Sequence, residues 1–209
     1  MKIAAISDTH GEHGKILTYP SADIFIFAGD FLEFGDEEIL ENFYSWLSYL
    51  PYKYKIIVGG NHDWFLEQSP KRSKEFFNAG CIYLEDRSIV INGIKFYGSP
   101  WIPRIIGSGV FNKDRGLDIR EKWSYIPNDI DILITHAPPY SIFDKPYKSD
   151  KSMGCVDLMD IVFKIKPKLH IFGHVHSRGG YKETIDKTIF VNVAFNKPTN
   201  KQITIVDLK

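Results

Sequence analysis

Five separated segments of the chain carry side chains that bind metal ions or move protons. They are Asp8-Thr9-His10, Gly29-Asp30, Gly59-Gly60-Asn61-His62-Asp63, Thr135-His136 and Gly173-His174-Val175-His176, and five of the seven histidines lie in them. One histidine after a strand is usually structural, and a lone Asp-x-His or His-x-His is a weak signal. Their occurrence together with Asp30, Asn61 and Asp63 points to a shared metal site. The donors are imidazole, carboxylate and one amide oxygen, with no thiolate. That set suits Mn, Fe, Zn, Ni or Co and argues against copper–thiolate and iron–sulfur centres.

Asp8, His10, Asp30, Asn61, His136, His174 and His176 are too many ligands for one ion that must also hold substrate. Two divalent ions with Asp30 as a bridge are predicted, Mn being favoured. Only Asp8 and Asp30 are anionic in this set, so the ions leave a surplus of about two positive charges, which attracts phosphate and acidifies water. Ions about 3.5–4 Å apart clamp the attacking and leaving oxygens of an in-line displacement. The predicted reaction is hydrolysis of a phosphoester by a metal-bridging hydroxide.

Such a site needs elements that bring distant segments together, and apolar runs precede all five. Lys2 to Ser7, Asp23 to Ala28, Lys55 to Val58, Asp131 to Thr135 and Lys168 to Phe172 read as strands. In α/β sheets the carboxyl ends of neighbouring strands open onto one crevice. If the strands continue, Asp8 and His10 project to one side, as do His174 and His176. Phe43, Trp46, Leu47 and Leu50 fall on one helical face between the second and third strands, with Pro51 at its end. The acidic run Asp36, Glu37, Glu38 and Glu41 reads as the solvated first turn of that helix.

Asn92-Gly93 between Ile89-Val90-Ile91 and Ile94 to Tyr97 predicts a tight hairpin. Pro100 to Asp118 reads as a long functional or mobile loop, in which Gly107-Ser108-Gly109 suits a flexible lid. Cys155 to Lys166 reads as a helix closed by Pro167, and Thr188 to Val193 and Gln202 to Val206 as final strands. No repeat, low-complexity tract or linker divides the chain, so residues 1–209 are expected to form a single α/β domain.

With 209 residues, 26 Lys plus Arg and 26 Asp plus Glu, the formal charge is zero. That disfavours a duplex nucleic acid partner, which demands a basic surface. Cys81 and Cys155 form no disulfide framework and read as buried reduced thiols. Six residues before Ser7 cannot make a signal-peptide core, and no apolar run approaches 18 residues. A cytoplasmic protein without membrane attachment is expected; the oligomeric state is left open.

The ordered set Asp-x-His, Gly-Asp, Gly-Asn-His-Asp, His and Gly-His-x-His resembles the calcineurin-like metallophosphoesterase superfamily, from Asp8 to His176. The resemblance implies a four-layer sandwich, two mixed β-sheets flanked by helices, with a dinuclear site at the sheet ends. It implies Asp8, His10, Asp30 and His176 on one metal and Asp30, Asn61, His136 and His174 on the other. His62 matches the group that protonates the leaving oxygen, and Asp63 its orienting partner. A leaving alkoxide needs such a proton.

Ser7 to Gly11, Gly98-Ser99-Pro100-Trp101, Phe111-Asn112 with Arg115-Gly116, Thr135 to Pro139, Gly154-Cys155 and Phe172-Gly173-His174 are similar to a smaller branch. Those metallophosphoesterase-domain-containing proteins are similar to cyclic-nucleotide phosphodiesterases. The resemblance implies a phosphodiesterase acting on small substrates such as cyclic nucleotides, with Asn61 and His62 contacting the phosphate. A phosphomonoesterase, a protein serine/threonine phosphatase or a catalytically silent interaction module is the alternative. Asn112 and Arg115 either bind a substrate phosphate or base, or are a surface loop pair. His13 is expected to face solvent and His170 to lie in the core. Tyr140 and Trp101 either stack a nucleobase or serve as packing.

Overall fold

The apolar runs form two mixed β-sheets whose facing sides share one seam. The computed structural model describes residues 1–33, 37–69, 80–105, 107, 109–195 and 202–208. In the first sheet β1 (Lys2–Ile6), β2 (Ile24–Ala28), β3 (Tyr54–Val58) and β4 (Ile82–Tyr83) run parallel in that order. In the second, β5 (Arg87–Ile91) pairs antiparallel with β6 (Ile94–Ser99), which runs parallel to β9 (Ile132–Thr135). Beyond β9 come β10 (Leu169–Phe172) and β12 (Thr188–Asn192), both parallel, and β11 (Lys182–Ile185), antiparallel at the edge. β13 (Thr204–Asp207) returns antiparallel beside β1.

Alternation along the strands builds the layers. Ile3, Ala5, Ile24, Ile26 and Val58 gather with Ile132, Ile134, Ile171 and Val191 of the other sheet in one buried cluster, the seam between sheets. The intervening residues Ala4, Phe25 and Phe27, and Leu133, Phe172 and Phe190, belong to the cluster that takes in the helices. Burial on both faces is why these strands read as unbroken apolar runs. Phe43 and Leu47 of α1 (Glu37–Tyr49) are fully buried, as the helical spacing predicts. Phe43 stacks on Phe31 with ring centroids 4.2 Å apart. α2 (Trp64–Gln68) is short; α3 (Leu117–Ser124) and α4 (Val156–Ile165) contribute Ile119, Trp123, Leu158 and Val162 to the same cluster.

The hairpin is as expected, with Asn92 and Gly93 at φ 52° and 78°, both in the left-handed region of a tight turn. The long loop is not featureless. β7 (Ile102–Pro103) and β8 (Asn112–Lys113) pair in parallel within it, and α3 starts before its expected end. Ser108 of the lid expectation and Asp36 of the acidic run lie outside the described residues. Among the described residues no helix is long and apolar enough to cross a membrane.

Candidate metal centre

The strand ends carry the candidate ligands, but not by continuing as strands. Asp8, His10, Asp30 and His174 have φ of 57°, 45°, 58° and 67°. Each lies in the left-handed region, where Asp and His are among the more tolerant side chains. The expectation that Asp8 and His10, or His174 and His176, share a side through extended backbone is therefore corrected. Sharp turns aim them, and His176 begins a short 3-10 turn. Backbone hydrogen bonds lock the turns together: Asp8 N–H donates to Gly29 O (2.8 Å), His10 N–H to Asp30 O (3.1 Å) and Gly173 N–H to His136 O (3.1 Å). The two sheets meet where Ser7 N–H donates to Val193 O (3.1 Å) and Phe195 N–H to Ser7 O (2.8 Å).

Asp8 is buried and accepts His174 N–H on both oxygens at 3.0 Å, as well as Ser7 Oγ–H. Three groups of donor atoms converge, each within 4.8 Å of one another: Asp8, His10 and His176; His10, Asp30 and His62; and Asp30, His136 and His174. Asn61 joins the last group through Oδ1, 3.1 Å from His136 Nε2. All seven expected ligands are thus brought together, with Asp30 between the two sets. The approach is close enough that small residues are required. A Cβ on Gly60 would meet Asp30 Oδ1 and lie 2.6 Å from Asp30 N, and one on Gly173 would meet Ser7 Oγ and Asp8 Oδ2.

The donors suit divalent cations. His136 gives its Nδ1–H to Ala28 O at 2.9 Å, so Nε2 faces Asp30 Oδ2 and Asn61 Oδ1, each at 3.1 Å. A carbonyl behind a histidine sets the tautomer that a metal-binding ring needs. Nε2 of His10 and Nε2 of His176 face each other at 3.1 Å. His174 Nε2 is buried with no hydrogen-bond partner among the described residues. Nitrogen and oxygen donors gathered this closely suit a divalent cation, which would displace the protons they share.

The electrostatics of these residues carry the same signature. Burial opposes the charge on Asp30, but His136, at contact distance, holds its carboxyl well below the usual range. Burial likewise opposes the His136 cation, yet Asp30 outweighs it and lifts His136 to about 10. Burial pushes His174 down to about 4, with His136 adding to the effect, and burial pushes His10 down as well. Against the cost of burial, His176 holds Asp8 low and Asp8 holds His176 high.

His62 edges onto His10 with ring centroids 4.7 Å apart. Its Nδ1 lies 2.8 Å from Glu33 O, and its backbone N–H donates to Asp30 Oδ1 at 2.8 Å. Asp63 is buried; its Oδ2 accepts the amides of Asp30 (2.8 Å) and Gly60 (2.7 Å), and its Oδ1 that of Leu32 (3.0 Å). The Asp63 carboxylate thus meets the backbone of both loops, while the carbonyl of Glu33 meets His62 Nδ1.

Asn112 donates through Nδ2 to Gly109 O at 2.6 Å, and Arg115 through Nη1 to Gly154 O at 2.8 Å. Neither lines the cavity beside the candidate metal ligands. His13 is buried, not solvent-facing, with Nε2 2.8 Å from Asn42 Oδ1 and its ring against Phe43 and Trp46. His170 is a core residue 2.9 Å from Thr135 Oγ1, and burial pushes it down to about 3. Trp101 is buried and bonded to Asp86 Oδ2 at 2.7 Å. Cys155 is buried, whereas Cys81 is only half-buried.

A cavity of about 390 Å³ opens at this centre, lined by Asp8, His10, His62 and His176 together with Thr9, Glu12, Glu33 and Phe195. Sequence reasoning did not single out the last four. Thr9, Glu12 and Glu33 lie within three residues of a ligand, which is a usable signal; Phe195 carries none.

Comparison with known proteins agrees with this geometry. The calcineurin-like phosphoesterase family matches residues 1–178. The chain is 37% identical to Metallophosphoesterase domain-containing protein 1 of Homo sapiens over 99% of this chain and 71% of that protein. It is 36% identical to UPF0046 protein T07D4.2 of Caenorhabditis elegans, over 92% of this chain and 55% of that protein. Its fold resembles that of Phosphopantetheinyl Hydrolase (PptH) from Mycobacterium tuberculosis, with a TM-score of 0.68, 17% identity and coverage of 100% and 96%. The protein TT1561 of Thermus thermophilus has the same TM-score, 0.68, at 15% identity, covering 91% of this chain and 88% of its own. With its ligand constellation assembled at the ends of two mixed sheets, the chain belongs to the calcineurin-like phosphoesterase family, a family of metal-dependent phosphoester hydrolases.

Proposed function

We propose that this protein is a dinuclear phosphodiesterase acting on small diesters such as cyclic nucleotides, working in the cytoplasm on a small phosphoester and not on duplex nucleic acid. The observation that carries the dinuclear reading is the placement of Asp30. Its Oδ2 is 3.1 Å from His136 Nε2 and 3.9 Å from His10 Nε2, so one carboxylate serves both donor groups. Asp8, His10, Asp30 and His176 would hold one ion, and Asp30, Asn61, His136 and His174 the other. Two divalent ions supply Lewis acidity for the phosphoryl oxygens and a nucleophile at neutral pH.

The chain's own residues do the rest. Asn61 and His62 would contact a phosphate bound between the donor groups. With its Nδ1–H given to Glu33 O, His62 exchanges protons at Nε2, the nitrogen suited to protonating a departing alkoxide. Asp63 keeps Asp30 and Gly60 in register, so that the bridge and the acid stay at fixed separation. The diester preference is supported by the likeness of Ser7 to Gly11, Thr135 to Pro139 and Phe172 to His174 to the diesterase-like branch. Two free thiols suit a reducing compartment.

The test is hydrolysis of bis-p-nitrophenyl phosphate against p-nitrophenyl phosphate with added Mn. The diester should be cleaved faster and a chelator should abolish both reactions. A strong monoester preference would favour a phosphomonoesterase or protein phosphatase. No turnover with metal fully loaded would leave the interaction module.

A further inference from the structure

Apart from the metal-binding residues and His62, the cavity wall consists of Thr9, Glu12, Glu33 and Phe195. Two of these four are carboxylates, and among the described residues no lysine or arginine lines the cavity. Glu33 Oε2 lies 3.2 Å from His10 Nδ1, while its side chain is 48% exposed. Glu12 follows His10 by two residues in the same turn. Its Oε1 is 2.9 Å from Lys15 Nζ, which offsets part of its charge, but Lys15 points outward and lies outside the lining.

We propose that Glu12 and Glu33 make this site select its substrate by charge. Their carboxylates disfavour a second negative charge on the ester, so the preferred substrate is a monoanionic phosphodiester, above all one whose alcohol carries a cation. This inference rests on the phosphodiesterase reading and deepens it. His10, His62 and Glu33 line the same cavity, so a phosphate held between the donor groups would stand about one imidazole ring away from the Glu33 carboxylate. A monoester dianion brings one more charge to that position than a diester does. One unit charge about 7 Å from a carboxylate at a half-exposed site changes relative binding about tenfold, and salt weakens it. An ammonium on the ester's alcohol reverses the sign.

Three chromogenic esters share the p-nitrophenolate leaving group and differ in charge at pH 8. They are dianionic p-nitrophenyl phosphate, monoanionic bis-p-nitrophenyl phosphate and zwitterionic p-nitrophenyl phosphorylcholine. Their kcat/KM values are compared for wild type, Glu33→Gln and Glu12→Gln, each with its metal content measured. Intrinsic reactivity cancels when the ratio between substrates is compared across variants. The monoanion-to-dianion ratio should fall about tenfold in Glu33→Gln and less in Glu12→Gln, the zwitterion-to-dianion ratio should fall further, and high salt should lower both in wild type. Calorimetric titration with methyl phosphate and dimethyl phosphate gives the same comparison without turnover, and Glu33→Gln should tighten the dianion selectively. Ratios and relative affinities within about twofold of wild type in both variants would overturn the charge-selection proposal. A wild type that prefers the dianion would instead refute the diesterase reading beneath it.

Discussion

Replacing Asp63 with alanine removes an acceptor that three backbone amides share. Its Oδ2 takes Asp30 N–H at 2.8 Å and Gly60 N–H at 2.7 Å, and its Oδ1 takes Leu32 N–H at 3.0 Å. The carboxylate is fully buried, so bulk water does not replace it. Each buried donor left unmet costs about 1–3 kcal/mol. Removing a negative charge that faces Asp30 returns part of this, as burial and Asp30 already push the Asp63 carboxyl up. The net loss for Asp63→Ala should be about 3–5 kcal/mol, a large share of an ordinary domain's stability. Asp63→Asn keeps one oxygen for Asp30 and Gly60 but turns an amide N–H toward Leu32 N–H, and should cost about 1–3 kcal/mol. Urea unfolding of the metal-free protein gives both values. Metal titration should show weaker binding in the same order, because Asp30 and the Gly60–His62 turn lose their common anchor. An alanine variant within about 1 kcal/mol of wild type would refute the backbone-clamp account of Asp63.

Other outcomes follow from the same geometry. His62→Ala should retain its metals but lose about 10²–10⁴-fold in kcat for esters with poor leaving groups, and much less for p-nitrophenyl esters. Equal turnover by wild type and variant on an alkyl diester removes His62 from the acid role. Gly60→Ala should fold but bind metal poorly, since its Cβ meets Asp30 Oδ1 and lies 2.9 Å from His136 Cε1; metal analysis after dialysis reads this directly. His136 is raised to about 10 in the metal-free protein, so its pairing with Asp30 stabilises the fold fully below about 6.5. That stability is lost as pH rises through about 10, by up to about 1.4 kcal/mol per pH unit, which denaturation of the apoprotein across about pH 6 to 10 would measure. For the same reason metal binding must release the His136 proton, so affinity should increase with pH over this window, and a pH-independent affinity would contradict the pairing.

Much of the fold was legible because strands buried on both faces must be apolar throughout. Ile24–Ala28 and Leu169–Phe172 are fully buried, the first an unbroken apolar run and the second interrupted only by His170. β11 left no such trace: Lys182, Glu183 and Thr184 are exposed at a sheet edge, where nothing selects for apolar residues. α3 carries little sequence signal, because only Ile119 and Trp123 of its eight residues are buried. His13 was misplaced since its burial depends on Asn42, Phe43 and Trp46, which reach it from another element.

The candidate site divides along the same line. The candidate donor set was readable from the chain alone, as a cluster of carboxylate, amide and imidazole groups directly after apolar strands, and the structure brings its members together. How these groups converge was decided by packing. Left-handed turns at Asp8, His10, Asp30 and His174 replace extended backbone, because hydrogen bonds such as Asp8 N–H to Gly29 O hold conformations that the isolated peptide would leave. The clamp of Asp63 on three amides, and the approach of Glu12, Glu33 and Phe195 to one cavity, likewise exist only after both sheets have closed. Local spacing determines which side chains a chain offers at a strand end. Contacts between residues far apart in the sequence, such as Asp8 with His174, determine where those side chains point.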